Sequence, residues 1–308
     1  MRTLLLVFLS LFSLSLWAQE EKKAEVKAEA KPTDAVDETI TNRKLRAETG
    51  SLSRWSMSSS LNYNAGSVAS PLDPERPNIT AGKDVLLLQN ISGTVGVRYR
   101  LSTFDNITLQ TGLFMTTPFH DRINTSDAKR KQAFESTNRK LNVNDPALRY
   151  VHIGKVWGAQ SVTSASATLI TNNQLKNAGY ASYFDADQTF MYEVPETKLS
   201  LGATFYAGAY TLSKDDPNLA TYNVAFYPSA EYVINDTYNL RTVFGQWVYQ
   251  QSKGSNTNAW EKLKVYQSVG LGISVTRDIF LYPNIQFIPS DVRSDRTNIA
   301  MSASINVF

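Results

Sequence analysis

Two histidines, His120 and His152, and no cysteine leave this chain a narrow choice of nucleophilic and metal-binding chemistry. Without Cys it can form no disulfide, thiolate nucleophile, zinc-thiolate site or iron-sulfur site. A hydrolase built on a strand can place His and Ser at i and i+2, where both point to one face and the hydroxyl reaches the imidazole. His152 is followed two residues on by Gly154 and His120 by Arg122, so neither makes that pair. His120 has Asp121, Asn124 and Ser126 nearby in sequence, in a stretch that reads as a loop. No glycine-rich phosphate loop, calcium loop or His-based zinc motif occurs. The residue inventory therefore predicts no catalytic, cofactor-binding or metal-binding residue, and a lipid-modifying enzyme is the weakest of the roles weighed.

The other residues with a chemical part to play are charged ones on alternating segments: Arg98, Arg100, Asp185, Asp187, Glu193, Glu231 and Lys264. On strands of period two they fall on the polar face. If that face lines a water-filled lumen, such charges filter ions by sign and solutes by size. In a closed lumen they would pair as a polar core. Their signs are mixed, which predicts no strong preference for anions or cations.

The elements that must position them are strands. Of 308 residues, 42% are apolar and 19% charged, with 31 Lys plus Arg against 28 Asp plus Glu. That balance argues against a nucleic-acid binder driven by bulk charge. Arg2, the apolar stretch Leu4 to Leu16 and Ala18 before Gln19 read as a secretory signal peptide over 1–18. The apolar stretch is shorter than the ~20 residues of a membrane-spanning helix. Residues 19–53, rich in Glu, Lys and Ala, cannot bury a core and read as a charged, disordered or helical periplasmic extension. The barrel unit is expected over 54–308.

From Trp55 onward the chain alternates. Residues 199–210 put Leu199, Leu201, Ala203, Phe205, Ala207 and Ala209 on one face and Ser200, Gly202, Thr204, Tyr206, Gly208 and Tyr210 on the other. About twelve such segments are predicted, near 55–65, 86–101, 106–117, 146–156, 161–171, 182–194, 198–211, 220–234, 238–250, 263–276, 279–289 and 297–308. Tight turns such as 157–160, 195–197, 235–237 and 277–278 alternate with longer polar connections, the longest at 118–145. Short turns at one end and long loops at the other are the pacing of a transmembrane antiparallel up-and-down β-barrel, with its apolar face toward lipid. Two segments do not sort: in 238–250 Phe244 and Val248 compete with Val243 and Trp247, and in 146–156 neither register removes every polar residue, which points to a bulge.

The leader, the alternating strands and an end at Ile305-Asn306-Val307-Phe308 together resemble Gram-negative outer-membrane β-barrel proteins, porin-like in architecture. In that family the last strand closes on an aromatic residue read by the insertion machinery. Here the apolar positions Ile299, Met301, Ala303, Ile305 and Val307 have the opposite parity from Phe308, so the resemblance leans on strand pacing. It implies a cell-outer-membrane location, with lipid, lipopolysaccharide and the insertion machinery as partners and no cofactor. The function expected is a narrow passive channel for ions or small hydrophilic solutes, with the long loop as constriction. The alternative is a closed structural or surface-recognition barrel whose loop residues Lys129, Arg130, Lys131, Arg139 and Lys140 touch lipopolysaccharide.

Overall fold

The computed structural model describes residues 36–37, 39–79, 87–120, 140–214, 219–245, 247–252, 260–262 and 264–307. Twelve strands form one closed wall: β1 (Trp55–Ser67), β2 (Asn90–Arg100), β3 (Asp105–Thr116), β4 (Lys140–Val156), β5 (Ala159–Leu169), β6 (Tyr180–Glu193), β7 (Leu199–Leu212) and β8 (Ala220–Val233). There follow β9 (Tyr238–Phe244 with Trp247–Ser252), β10 (Trp260–Lys262 with Gln267–Thr276), β11 (Ile279–Phe287) and β12 (Asn298–Val307). Each pairs antiparallel with the next, and β12 returns to β1, with Met57 opposite Val307 and Tyr63 opposite Met301. Closure leaves no sheet edge, the condition for spanning a membrane with strands.

The distribution of side chains inverts that of a soluble barrel. Leu109 is 64% and Val143 59% exposed on the outside, with Phe184, Leu201, Phe205 and Leu240 beside them in character. Inside lie buried Ser56, Asn106, Thr108, Glu231, Asn239 and Arg241. Left in water, each large apolar side chain would forgo roughly 1.5–3 kcal/mol of burial; facing hydrocarbon, it does not. Trp55, Tyr99, Trp157, Tyr192, Tyr232 and Tyr238 gather near the short-turn end, and Trp55 and Tyr99 stack at 4.7 Å. Amphipathic rings suit an interface at that level.

Both segments that failed to sort are irregular in the wall. In β4 the register shifts opposite Gln110 and Gly112 around Asp145 and Pro146, and Asp145 has φ +57°. One extra residue reverses the parity: Leu141 and Val143 face out before the bulge, Leu148 after it. In β9 the pairing to β8 passes from Ser229↔Val243 to Phe226↔Trp247, gaining a residue at Gly245, whose φ is +65°. β4 also begins at Lys140, so the connection expected over 118–145 is shorter by six residues, and 121–139 lie outside the described residues. The connection before β6 contains a short helix, α2 (Asn173–Ala178), capped by Asn172.

The extension expected outside the barrel is corrected for residues 36–52, which lie within the wall at the short-turn end. Helix α1 (Arg43–Thr49) starts at Asn42, whose side chain accepts from the Leu45 N–H at 3.1 Å, and stops at Gly50, with φ +94° and its N–H on Arg46 O. Gly50 is required twice over, because a Cβ there would also overlap the Arg98 guanidinium. Val36, Ile40 and Leu45 form an apolar cluster with Val151, Ile153, Val162 and Met191 from the inner wall, and Ala47 packs on Phe280 and Tyr282. On the inner face of β4, Val151 and Ile153 cover this segment beside Arg149, while the outer face carries Leu148, Tyr150 and His152.

Candidate functional site

The site is the lumen and the segment that enters it. Residues 36–52 are held from nearly every direction around the ring. The Asn42 N–H donates to Gln160 Oε1 of β5 at 2.8 Å, and Asn42 Nδ2 donates to Glu231 Oε2 of β8 at 2.9 Å. The Thr41 hydroxyl meets the Glu193 carboxylate of β6. Asn306 of β12 donates to Ala47 O, and Arg98 of β2 to Glu48 O at 3.2 Å. Arg100 Nη2 donates to Ser51 O at 2.5 Å. The turn residue Arg277 grips Asp37 through Nε and Nη2, at 3.0 and 2.8 Å to Oδ1, and reaches Gly50 O at 3.0 Å. Arg43 bonds Asn235 O and Asp236 in the β8–β9 turn. A peptide tied to opposite walls spans the opening between them.

Two more ion pairs, besides those of Asp37 with Arg277 and Arg43 with Asp236, bear on this plug. Glu231, 2% exposed, accepts from Arg241, Asn239 and Asn42, so a buried charge is both paired and hydrogen-bonded, as burial demands. Lys44 and Glu48 of α1 pair at 2.5 Å. Burial pulls the Lys44 ammonium below its usual pKa. It also pushes the Glu48 carboxyl up, but Lys44, with Arg241 and Arg149 beyond it, outweighs this and leaves Glu48 below the ordinary glutamate value.

On the far side of α1 the lumen opens into two adjoining cavities of about 370 and 270 Å³ that share Lys44, Glu48, Ser60, Thr204, Tyr227 and Ser304. Their walls are mainly hydroxyl and amide groups, with Arg98, Arg149 and Asp187 at the smaller.

Of the seven charged residues singled out in the sequence, Arg98, Arg100, Asp185, Asp187 and Glu231 turn inward. Arg98, Arg100 and Glu231 hold the plug. Asp187 accepts from Ser164 at 2.5 Å and pairs with Arg149 at 3.5 Å, and Asp185 accepts from Ser166. Glu193 sits at the rim with Thr41 and Gln160. Lys264 is corrected: it lies in the non-strand break within β10 and is exposed. The residues missed were Asn42, Lys44, Glu48, Arg149, Gln160 and Arg241. The one signal near them was the failure of 146–156 to sort into a polar and an apolar face.

His152 faces outward, its Nδ1 2.8 Å from Asp105 Oδ1, which also accepts from Tyr150 at 2.5 Å. A Cβ at Gly154 would lie 3.6 Å from His152 Nε2, the place for a serine nucleophile, and the glycine offers none. His120, at the end of β3, donates its N–H to Thr117 O. Among the described residues no cluster of His, Asp and Glu suits a metal.

No family model matches the chain, and no curated protein does. Among solved structures, an outer membrane channel from Pseudomonas putida F1 aligns with a TM-score of 0.52 at 10% identity, covering 84% of this chain and 98% of that one. The NanC porin aligns with a TM-score of 0.44 at 10% identity, covering 82% and 98%. At these identities the likeness to the first is one of fold: a closed, antiparallel outer-membrane β-barrel.

Proposed function

We propose that this outer-membrane β-barrel is a narrow passive channel for small hydrophilic solutes or ions, constricted at its short-turn, periplasmic end by its own residues 36–52. The observation that carries the reading is the lumen itself. The closed wall is polar inside, its small Ser, Thr, Gly and Asn side chains leave space, and adjoining cavities of about 370 and 270 Å³ stand above the plug. A filled barrel of this size would pack large side chains there. The loop at 118–145, expected as a constriction, has its residues 121–139 outside the described residues, Lys129, Arg130, Lys131 and Arg139 among them, as is Phe308; the constriction proposed here is that of the plug. Purified full-length protein in planar bilayers is expected to pass single-channel current; an inserted, heat-modifiable protein that stays silent would reject the reading.

A second reading, a closed structural barrel without transport, is favoured by the ring of plug contacts. Silence in the full-length chain together with current after deletion of residues 36–52 would support it. Catalysis has less in its favour, because the Asp105–His152 pair faces a glycine; a lipid-hydrolysis assay that is unchanged by His152→Ala disposes of it.

A further inference from the structure

The larger cavity is rich in hydrogen-bonding groups yet electrically balanced. It is bounded by α1 and by the inner faces of β1, β7, β8, β9, β10, β11 and β12. Its charged lining residues are Lys44, Glu48 and Arg241. Lys44 is paired with Glu48 and Arg241 with Glu231, so neither cation is left to attract an anion and no carboxylate is left to hold a cation. Arg241 further stacks 5.8 Å from the Tyr282 ring. A charged ligand would have to break one of these pairs, whereas a neutral one need not.

What the cavity offers is of two kinds. Asn62 and Gln286 present amides, which both donate and accept, among serine and threonine hydroxyls. Tyr227, Tyr266 and Tyr282 present aromatic rings, whose electron-rich faces attract the positive edges of C–H groups.

The approach adds further rings, past the smaller cavity that also carries Arg98, Arg149 and Asp187. Along the inner wall from the long-loop end, Tyr180 lies 4.6 Å from Tyr210, and Tyr210 lies 4.3 Å from Tyr183. The Tyr183 hydroxyl meets that of Tyr206, and Tyr206 and Tyr227 line the adjoining cavity. A line of rings bearing hydroxyls thus leads from the mouth toward the site.

Dense amide and hydroxyl partners, aromatic faces and no net charge are together complementary to one class of small hydrophilic solute, a ring carrying hydroxyl groups at its edge and C–H groups on its faces. We propose that this cavity binds a neutral mono- or disaccharide, with the Asn62 and Gln286 amides exchanging hydrogen bonds with sugar hydroxyls and Tyr227 covering a sugar face. The volume, about 370 Å³, falls in the roughly 300–1,000 Å³ range of small-molecule sites. The inference rests on the channel reading and names its solute class.

The test is calorimetric titration of the full-length protein in detergent with glucose, galactose, mannose, sucrose, maltose and N-acetylglucosamine, against inorganic phosphate and glutamate. Saturable binding of a neutral sugar is expected, weakened about tenfold by Tyr227→Ala and within about threefold of the parent in Tyr227→Phe. Gln286→Ala should weaken it too, and heat-modifiability on gels shows which variants are folded. Binding of phosphate or glutamate in preference, or of no sugar, overturns the proposal. Current in planar bilayers from the same preparation separates the two readings: current without sugar binding sinks the saccharide alone, and sugar binding without current sinks the channel alone.

Discussion

Asn42 and Glu231, 189 residues apart in sequence, meet inside the barrel, where the Asn42 Nδ2 donates to the buried carboxylate at 2.9 Å. The same asparagine caps α1 through Oδ1. One side chain therefore both starts the helix and fastens it to the wall, which couples the helix's existence to its location. Glu231 serves equally as anchor for the plug and counter-charge for Arg241.

Glu231→Gln should be strongly destabilising, because it leaves Arg241 charged, 7% exposed and unmatched. Removing one partner of a buried pair costs about 3–5 kcal/mol. The urea midpoint of the heat-modifiable band is expected to fall accordingly, and the double variant Glu231→Leu with Arg241→Met should recover much of the loss. A midpoint equal to the parent's in the single variant would show that the pair is not closed off from water.

Loosening the plug without touching the wall should widen the passage. Asp37→Ala with Asn42→Ala removes the Arg277 clamp and the Glu231 anchor. Single-channel conductance is expected to rise severalfold with the folded barrel retained. Unchanged conductance would mean that residues 36–52 do not narrow the path.

Acid should release the plug, and the direction follows from Glu48. Its pKa in the folded protein is depressed, chiefly because Lys44 outweighs burial. Its ionised form therefore stabilises docking above the ordinary glutamate value of about 4.3, and that contribution disappears as pH falls through the lower folded value. Conductance should hold steady from neutral pH to about 5 and rise below about 4. In Glu48→Gln this rise should be blunted; an equally steep rise would assign it to another carboxylate.

Leu109, 64% exposed on the outer face of β3, tests the orientation of the wall. Leu109→Arg places a charge against hydrocarbon and should cost about 2–4 kcal/mol if the residue lies near the bilayer midplane. In the same strand Gln110→Arg faces the lumen cavity and should insert with a smaller penalty in stability. Equal tolerance of both would contradict lipid contact at Leu109.

The wall was legible because its rule is local. Alternation along 199–210 sets which side each residue takes, and turns such as Arg277-Asp278 mark where the chain reverses. The plug was not legible by that route. Val36, Ile40 and Leu45 are three apolar residues scattered among charges, too few to announce a buried segment. Their burial depends on Val151, Ile153 and Met191, which lie more than a hundred residues away. The trace they left was indirect: β4 did not sort, because its inner face carries Val151 and Ile153 against the plug beside Arg149, and its outer face carries Tyr150 and His152. Lys264 went wrong for a different reason, since alternation was extended through a break in β10 where no strand imposes it. Alternation places Arg98 and Arg100 on the polar face, but the way they hold a peptide, by donating to backbone carbonyls, has no signature in their spacing.

The helix also draws on strands from both ends of the chain, for Ala47 needs Asn306 of β12, and Phe280 and Tyr282 of β11, to be in position. Residues 36–52 therefore find a complete berth only where these distant strands have met the first one, so the docked helix is itself a sign that the circle has been joined.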